Sequence, residues 1–200
     1  MQKRFVRLFI LLILVLALAA AVAMAQGGQG GGAGRGTGRG GGGGIVTLAV
    51  TSTSFPDGAE IPAKYTGQTG TSPQLSWSGA PATTASYVVI MHDTDAAIPA
   101  GNLTNDISHW IVWNIPAATT SIPEGGPVPA GANQYSLRGP QYMGPQPPAG
   151  HPFHHYIFQV YALNAPLEVA AGATRADVEK AMDGKIIARG TYVGRAKPAQ

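Results

Sequence analysis

The chain has 200 residues, no cysteine and a formal charge of +3. Five of its 13 Lys and Arg residues (Lys3, Arg4, Arg7, Arg35 and Arg39) precede position 45, which leaves 8 against all 10 Asp and Glu, a charge of −2 for the remainder. A body so charged makes no general case for nucleic-acid binding, and the absence of cysteine excludes disulfides, thiol nucleophiles and thiolate metal sites.

In chain order, Lys3, Arg4 and Arg7 form a positive start, Leu8 to Ala20 an apolar run, and Ala23-Met24-Ala25 a small-x-small cleavage site. This pattern predicts a signal peptide over 1–25 and an exported protein, periplasmic or secreted. The competing reading is a retained anchor, because the uncharged stretch from Leu8 to Ala25 is just long enough to span a membrane. No cysteine stands at the cut point to carry a bacterial lipid. Residues 26–44 are glycine with scattered Arg35, Thr37 and Arg39, too poor in apolar surface to order themselves. They read as a flexible tether with a root-mean-square reach of roughly 23 Å. An RNA-binding Gly-Arg tail fits less well, with two arginines and no aromatic residue.

From Ile45 the chain becomes short apolar runs punctuated by Gly and Pro, and a single domain is expected over 45–200. Strands are predicted at Ile45 to Thr51, Gln74 to Trp77, Ser86 to Asp93, His109 to Ile115, Tyr156 to Leu163 and Ile186 to Tyr192, from their lengths and their β-branched and aromatic content. One helix is predicted over Ala176 to Met182, with Thr174 as N-cap, Asp177 three residues on, and Gly184 as the stop. Strands joined by long Pro/Gly connections point to a mainly β fold with Greek-key-like crossings. Tyr65, Trp77, Trp113 and Tyr161 read as core.

Three segments carry chemistry. His92-Asp93-Thr94-Asp95 ends one strand, Ser108-His109-Trp110 begins the next, and Gly144-Pro145-Gln146-Pro147-Pro148 leads to His151, His154, His155 and Tyr156. Alternation places His154, Tyr156 and Phe158 on one strand face and His155 on the other. His154 and Tyr156 then offer two hydrogen-bond donors to an anion, beside a stiff Pro-Pro wall. Taken singly, Asp93 and Asp95 are as well explained as turn caps, and His109 as a satisfied half-buried histidine. The opposed faces of His154 and His155 argue against a shared metal ion, and no metal or cofactor is expected. Spacing alone does not bring the three segments together.

FPDGAEIPAKYTGQTGTSPQLSW (55–77), HDTDAA with SHWIVWNIP (92–116) and GPQPPAGHPFHHYIFQVYAL (144–163) resemble, in order, the signature segments of the phosphatidylethanolamine-binding family, in particular its bacterial Raf-kinase-inhibitor-like branch. The resemblance covers nearly all of 45–195. It implies a large antiparallel sheet packed with a smaller one, a few peripheral helices, and a small anion pocket. By position it implies that Asp93, Asp95, His109, Gly144, Pro147, Pro148, His154 and Tyr156 bind the ligand, a small phosphorylated or anionic molecule such as phosphorylethanolamine. The carboxylates would meet an ammonium group or hold the histidines charged. The sequence departs from the family at Thr94, between the two aspartates where proline is usual, at Gln146 and Gly67 where cysteines are usual, and at His155 in place of arginine. An Asn-x-Thr sequon at Asn102 to Thr104 lies in the loop between the first two segments.

The resulting expectation is a ligand-binding protein rather than an enzyme. Its alternatives are an inhibitor or regulator of another exported protein acting through the pocket rim, or a weak hydrolase using His109 or His154 as base with an aspartate orienting it. No serine sits in a nucleophile elbow. No nucleic-acid partner is expected, a protein partner is unspecified, and a membrane is involved only if the leader is uncut.

Overall fold

The computed structural model describes residues 45–67, 70–97 and 106–198. The expected signal peptide and tether, and the sequon, lie outside the described residues. Among these residues are nine strands: β1 (Val46–Thr47), β2 (Ala49–Thr51), β3 (Leu75–Ser78), β4 (Ser86–Ala97), β5 (Asp106–Pro116), β6 (Ser121–Ile122), β7 (Asn133–Tyr135), β8 (His154–Leu163) and β9 (Ile186–Ala196). One α-helix, α1 (Arg175–Met182), and a 3-10 turn at Ala63–Tyr65 complete the set. No helix among the described residues is long and apolar enough to cross a membrane.

The large sheet runs β1-β9-β8-β4-β5-β7 and the small one β2-β3-β6. The pairing is antiparallel throughout, except that β1 lies parallel to β9 at one edge of the large sheet. The β4–β5 pair is sequential, whereas β8 returns from far along the chain to lie on β4, the crossing that the long Pro/Gly connections imply. The single strand expected at Ile45 to Thr51 is two. The chain leaves the large sheet after Thr47, buries Leu48, and joins the small sheet at Ala49. Gly190 on β9 makes this crossing fit, since a Cβ there would press into the Leu48 carbonyl and sit 2.7 Å from Val50 Cγ2.

Alternation along β4 divides the core. Tyr87, Val89 and Met91 join Trp77, Trp110, Phe158 and Tyr192 between the sheets, whereas Val88 and Ile90 join Trp113, Val178 and Met182 under α1. Tyr65 belongs to the first cluster; Tyr161 is only partly buried, packed against the second. The α1 helix starts in a capping box, with the Thr174 side chain accepting from the Asp177 amide and the Asp177 carboxylate accepting from the Thr174 amide. Each partner thereby satisfies a donor that the first helical turn leaves open.

Candidate functional site

Asp93 ends the run of β4 residues facing the space between the sheets, beyond Met91, and its Cα partner across the sheet is Tyr156 of β8. His154 lies two residues before Tyr156 and so shares its face. These three side chains meet at one end of the sheet. His154 Nδ1 donates to Asp93 Oδ2 at 2.8 Å, with His154 only 2% and Asp93 3% exposed.

Strict alternation would send His109 to the opposite face from Trp110. The β4–β5 register shows why it does not go there: Met91 pairs with Trp110 and His92 with Ser108, so His109 is the extra residue of a bulge. Bulges re-aim side chains, and this one turns the His109 ring edge-on to Tyr156, with centroids 5.0 Å apart. His109 Nδ1 donates to the Met143 carbonyl at 2.9 Å. Burial, partly offset by that bond and by the Asp93 carboxylate, holds the imidazole below its ordinary pKa, so the ring is neutral.

Gly144, Pro147 and Pro148 form the wall. Gly144 is packed so closely that a Cβ would lie 2.8 Å from the Gly67 carbonyl oxygen and 2.9 Å from backbone atoms of Thr66 and Tyr65. The Gly67 amide donates to the Pro145 carbonyl at 2.8 Å, pinning the wall to the turn after Tyr65.

Together these elements enclose a cavity of about 220 Å³ lined by Asp93, His109, Gly144, Pro147, Pro148, His154 and Tyr156. The eighth expected residue, Asp95, is not among the lining residues. A second irregularity pairs Asp93 with Ile107 and then Ala97 with Asp106, so Thr94, Asp95 and Ala96 bulge out of register. The Asp95 amide donates to Asp93 Oδ1 at 2.9 Å, and the Asp95 carboxylate accepts from the amide and ring of His155 at 2.6 and 2.9 Å. Burial alone would raise the Asp95 carboxyl; the two bonds from His155 outweigh it and hold the group below its usual value. Asp95 braces the turn that presents Asp93.

The lining also holds residues outside the expected ligand-binding set: Gln146 of the Pro-Pro segment, and Arg138 and Met143, which no motif singled out. Arg138 is exposed and donates to Gln146 Oε1 at 3.2 Å, one of its five N–H donors. Arg138 is the sole Lys or Arg between Lys64 and Arg175, a signal present in the sequence. The Tyr156 hydroxyl is fully buried and makes no hydrogen bond of ordinary geometry among the described residues, although the Asp93 carboxylate and the Gln146 backbone lie near it. Burial and then the nearby Asp93 carboxylate push its phenol far above the ordinary value, so it is a neutral O–H donor. An unpaired buried hydroxyl costs about 1–3 kcal/mol, and here it borders a cavity.

On the other face of β4, His92 Nδ1 bonds Asp106 Oδ2 at 2.5 Å, and Asp106 also pairs with Arg175 of α1. This chain of polar contacts ties the helix to the sheet, and none of its three residues lines the cavity. Among the described residues no group of three or more His, Asp or Glu is placed to hold a metal ion.

A sequence profile described as phosphatidylethanolamine-binding protein matches residues 51–197. A protein of Aquifex aeolicus called UPF0098 is 40% identical over 159 residues, covering 75% of this chain and 88% of that one. A Mycobacterium tuberculosis relative named as a lipoprotein, LppC, is 34% identical over 154 residues, covering 74% of this chain and 73% of its own. Among solved structures, Escherichia coli YbcL superposes with a TM-score of 0.68 at 31% identity, covering 76% of this chain and 99% of that one. The homologue CT736 of Chlamydia trachomatis gives 0.67 at 34% identity, covering 78% and 99%.

Proposed function

Because the chain belongs to the phosphatidylethanolamine-binding protein family, a family consistent with ligand binding, we propose that it is an exported binding protein for a small phosphorylated or similar oxyanionic ligand. The observation that carries this reading is the Tyr156 hydroxyl, a buried neutral donor that makes no hydrogen bond of ordinary geometry among the described residues and borders the cavity. Arg138 contributes the positive charge at the same cavity, and His154, backed by Asp93, is placed to become a second cation. The cavity of about 220 Å³ is smaller than the ~300–1,000 Å³ of drug-sized pockets, which favours a head group over a whole lipid.

Binding without turnover by a side-chain nucleophile is favoured because, among the described residues, no serine, threonine or cysteine lines the cavity, and the hydroxyl present there is a phenol held protonated. Export is supported by the leader pattern and by a relative named as a lipoprotein.

The test is calorimetric titration of the full chain with O-phosphorylethanolamine, beside a His154→Ala variant. Binding that is lost in the variant supports the reading. Absence of binding by the unaltered chain refutes it, and a partner docking at the pocket rim around the exposed Leu137 then becomes the better reading.

A further inference from the structure

The expectation that His154 simply donates to an anion meets an obstacle in the hydrogen-bond pattern. A carboxylate only accepts, so the His154 proton at 2.8 Å from Asp93 Oδ2 sits on Nδ1. A neutral imidazole with its proton there has a bare lone pair on Nε2. That lone pair is already met, at 3.3 Å, by Nδ1 of His151. His109 is in the same condition: its proton is spent on the Met143 carbonyl and burial keeps the ring neutral. An oxyanion also presents only lone pairs. In that neutral form His154 and His109 present it only lone pairs, and among the lining side chains Tyr156, Arg138 and the Gln146 amide remain as the donors.

His151 resolves this. Unlike the buried His154, it is exposed, held at the pocket edge by its own amide, which donates to the Pro148 carbonyl at 3.2 Å. We propose that His151 is a specificity-determining residue of the site: it and His154 together take up one proton as an oxyanion binds, which makes the pocket select anions over neutral molecules of the same size. The proposal rests on the anion-binding reading above. The proton enters from solvent at His151 and is shared across the Nδ1–Nε2 contact, and the positive charge is balanced from behind by Asp93. The other charged or titratable groups around the pair are Asp95 from β4, whose carboxylate interacts electrostatically with His154, His109 from β5, Tyr156 from β8 and Arg138 from the loop after β7. On the outer side, Arg195 and Lys197 lie over the ring of Phe153. A neutral ligand brings no charge to stabilise the imidazolium and gains nothing from the pair.

The sign follows from linkage: the complex holds one proton more than the free protein, so affinity rises as pH falls, by up to tenfold in Kd per pH unit above the ordinary histidine range, and levels off below it. The experiment titrates the full chain calorimetrically between about pH 5.5 and 8 with three probes: O-phosphorylethanolamine, inorganic phosphate and ethanolamine O-sulfate. The first two distinguish an organic ester from a free oxyanion, and the sulfate ester keeps a fixed charge across the range, so its pH dependence belongs to the protein. Repeating each titration in buffers of different ionisation heat counts the protons taken up. His151→Gln keeps a hydrogen-bonding side chain but does not titrate. The expected result is a pH-dependent Kd with about one proton taken up by the unaltered chain, and a flat profile with no uptake in His151→Gln, which still binds. Binding of the sulfate ester without a pH slope, or an unchanged slope in His151→Gln, overturns the proposal and leaves the anion-binding reading standing. No binding of any probe by the unaltered chain removes that reading and this one with it.

Discussion

Replacing Gly144 by alanine tests whether the pocket wall is held by backbone contact. The added Cβ would lie 2.8–2.9 Å from three backbone atoms of Tyr65, Thr66 and Gly67. None of these is the end of a flexible side chain, so the wall or the turn must move. Overpacking of this kind costs about 1–3 kcal/mol, and a shift sufficient to relieve it strains the Gly67–Pro145 hydrogen bond, worth about 0.5–1.5 kcal/mol. The expected destabilisation is about 2–4 kcal/mol, a fall in Tm of roughly 5–15 °C for a domain of this size. Gly172 is the control, because it lacks a positive φ and a Cβ there meets nothing within 4 Å. Gly172→Ala should change stability by less than about 1 kcal/mol, in the stabilising direction. Chemical denaturation of the two variants beside the unaltered chain measures both. If Gly144→Ala unfolds within about 0.5 kcal/mol of the unaltered chain, the close seating of the wall is not what fixes the pocket, and the reasoning fails.

Three further outcomes are expected. Tyr156→Phe removes a buried hydroxyl that makes no hydrogen bond of ordinary geometry among the described residues, so denaturation should show stability unchanged or raised by up to about 1 kcal/mol, whereas affinity for O-phosphorylethanolamine should fall about ten- to a hundredfold, as for a lost bond to a charged group; loss of stability without loss of affinity would contradict the role given to this hydroxyl. Because burial holds His109 below its ordinary value, the unfolded chain binds a proton that the folded one refuses; stability should therefore be full above about pH 6.5 and decline as pH falls below it, and His109→Gln should flatten that part of a stability–pH profile. Asp106→Ala should cost about 1–3 kcal/mol in denaturation experiments, because it leaves both ring nitrogens of buried His92 without a partner among the described residues and reduces the hold of Arg175 on the sheet to its contact with the Ser108 hydroxyl at 3.4 Å.

Much of this architecture is legible in residue order. The strands at Ser86, Tyr156 and Ile186 and the Thr174-capped helix follow from local pattern, whereas the resemblance implies that Asp93 and His154 belong to one pocket but not that they pair with each other. Two of the bulges that break alternation shape the site. At His109 one extra residue turns toward the cavity a ring that a regular strand would send to the α1 side, and at Thr94 to Ala96 the register slips and takes Asp95 out of the pocket. A bulge is a property of the pair of strands, and neither strand carries it alone. Arg138 was hidden for a different reason: it stands in a Gly/Pro-rich loop with no periodicity, and its approach to the cavity depends on the 136–139 turn.

The parallel pairing of β1 with β9 gives the molecule a polarity. Ala196, at the end of β9, lies opposite His154 at the pocket end of the sheet, whereas Val46 lies beside Ala188, eight positions back along the same strand. At about 3.3 Å per residue, the chain enters the domain roughly 26 Å from the level of the pocket, and travels toward it. An attachment made at Ile45 itself, such as a surface used for immobilisation, would meet the domain at the end of the sheet remote from the pocket, whereas a fusion after Pro198, two residues beyond the end of β9, would sit at the pocket end.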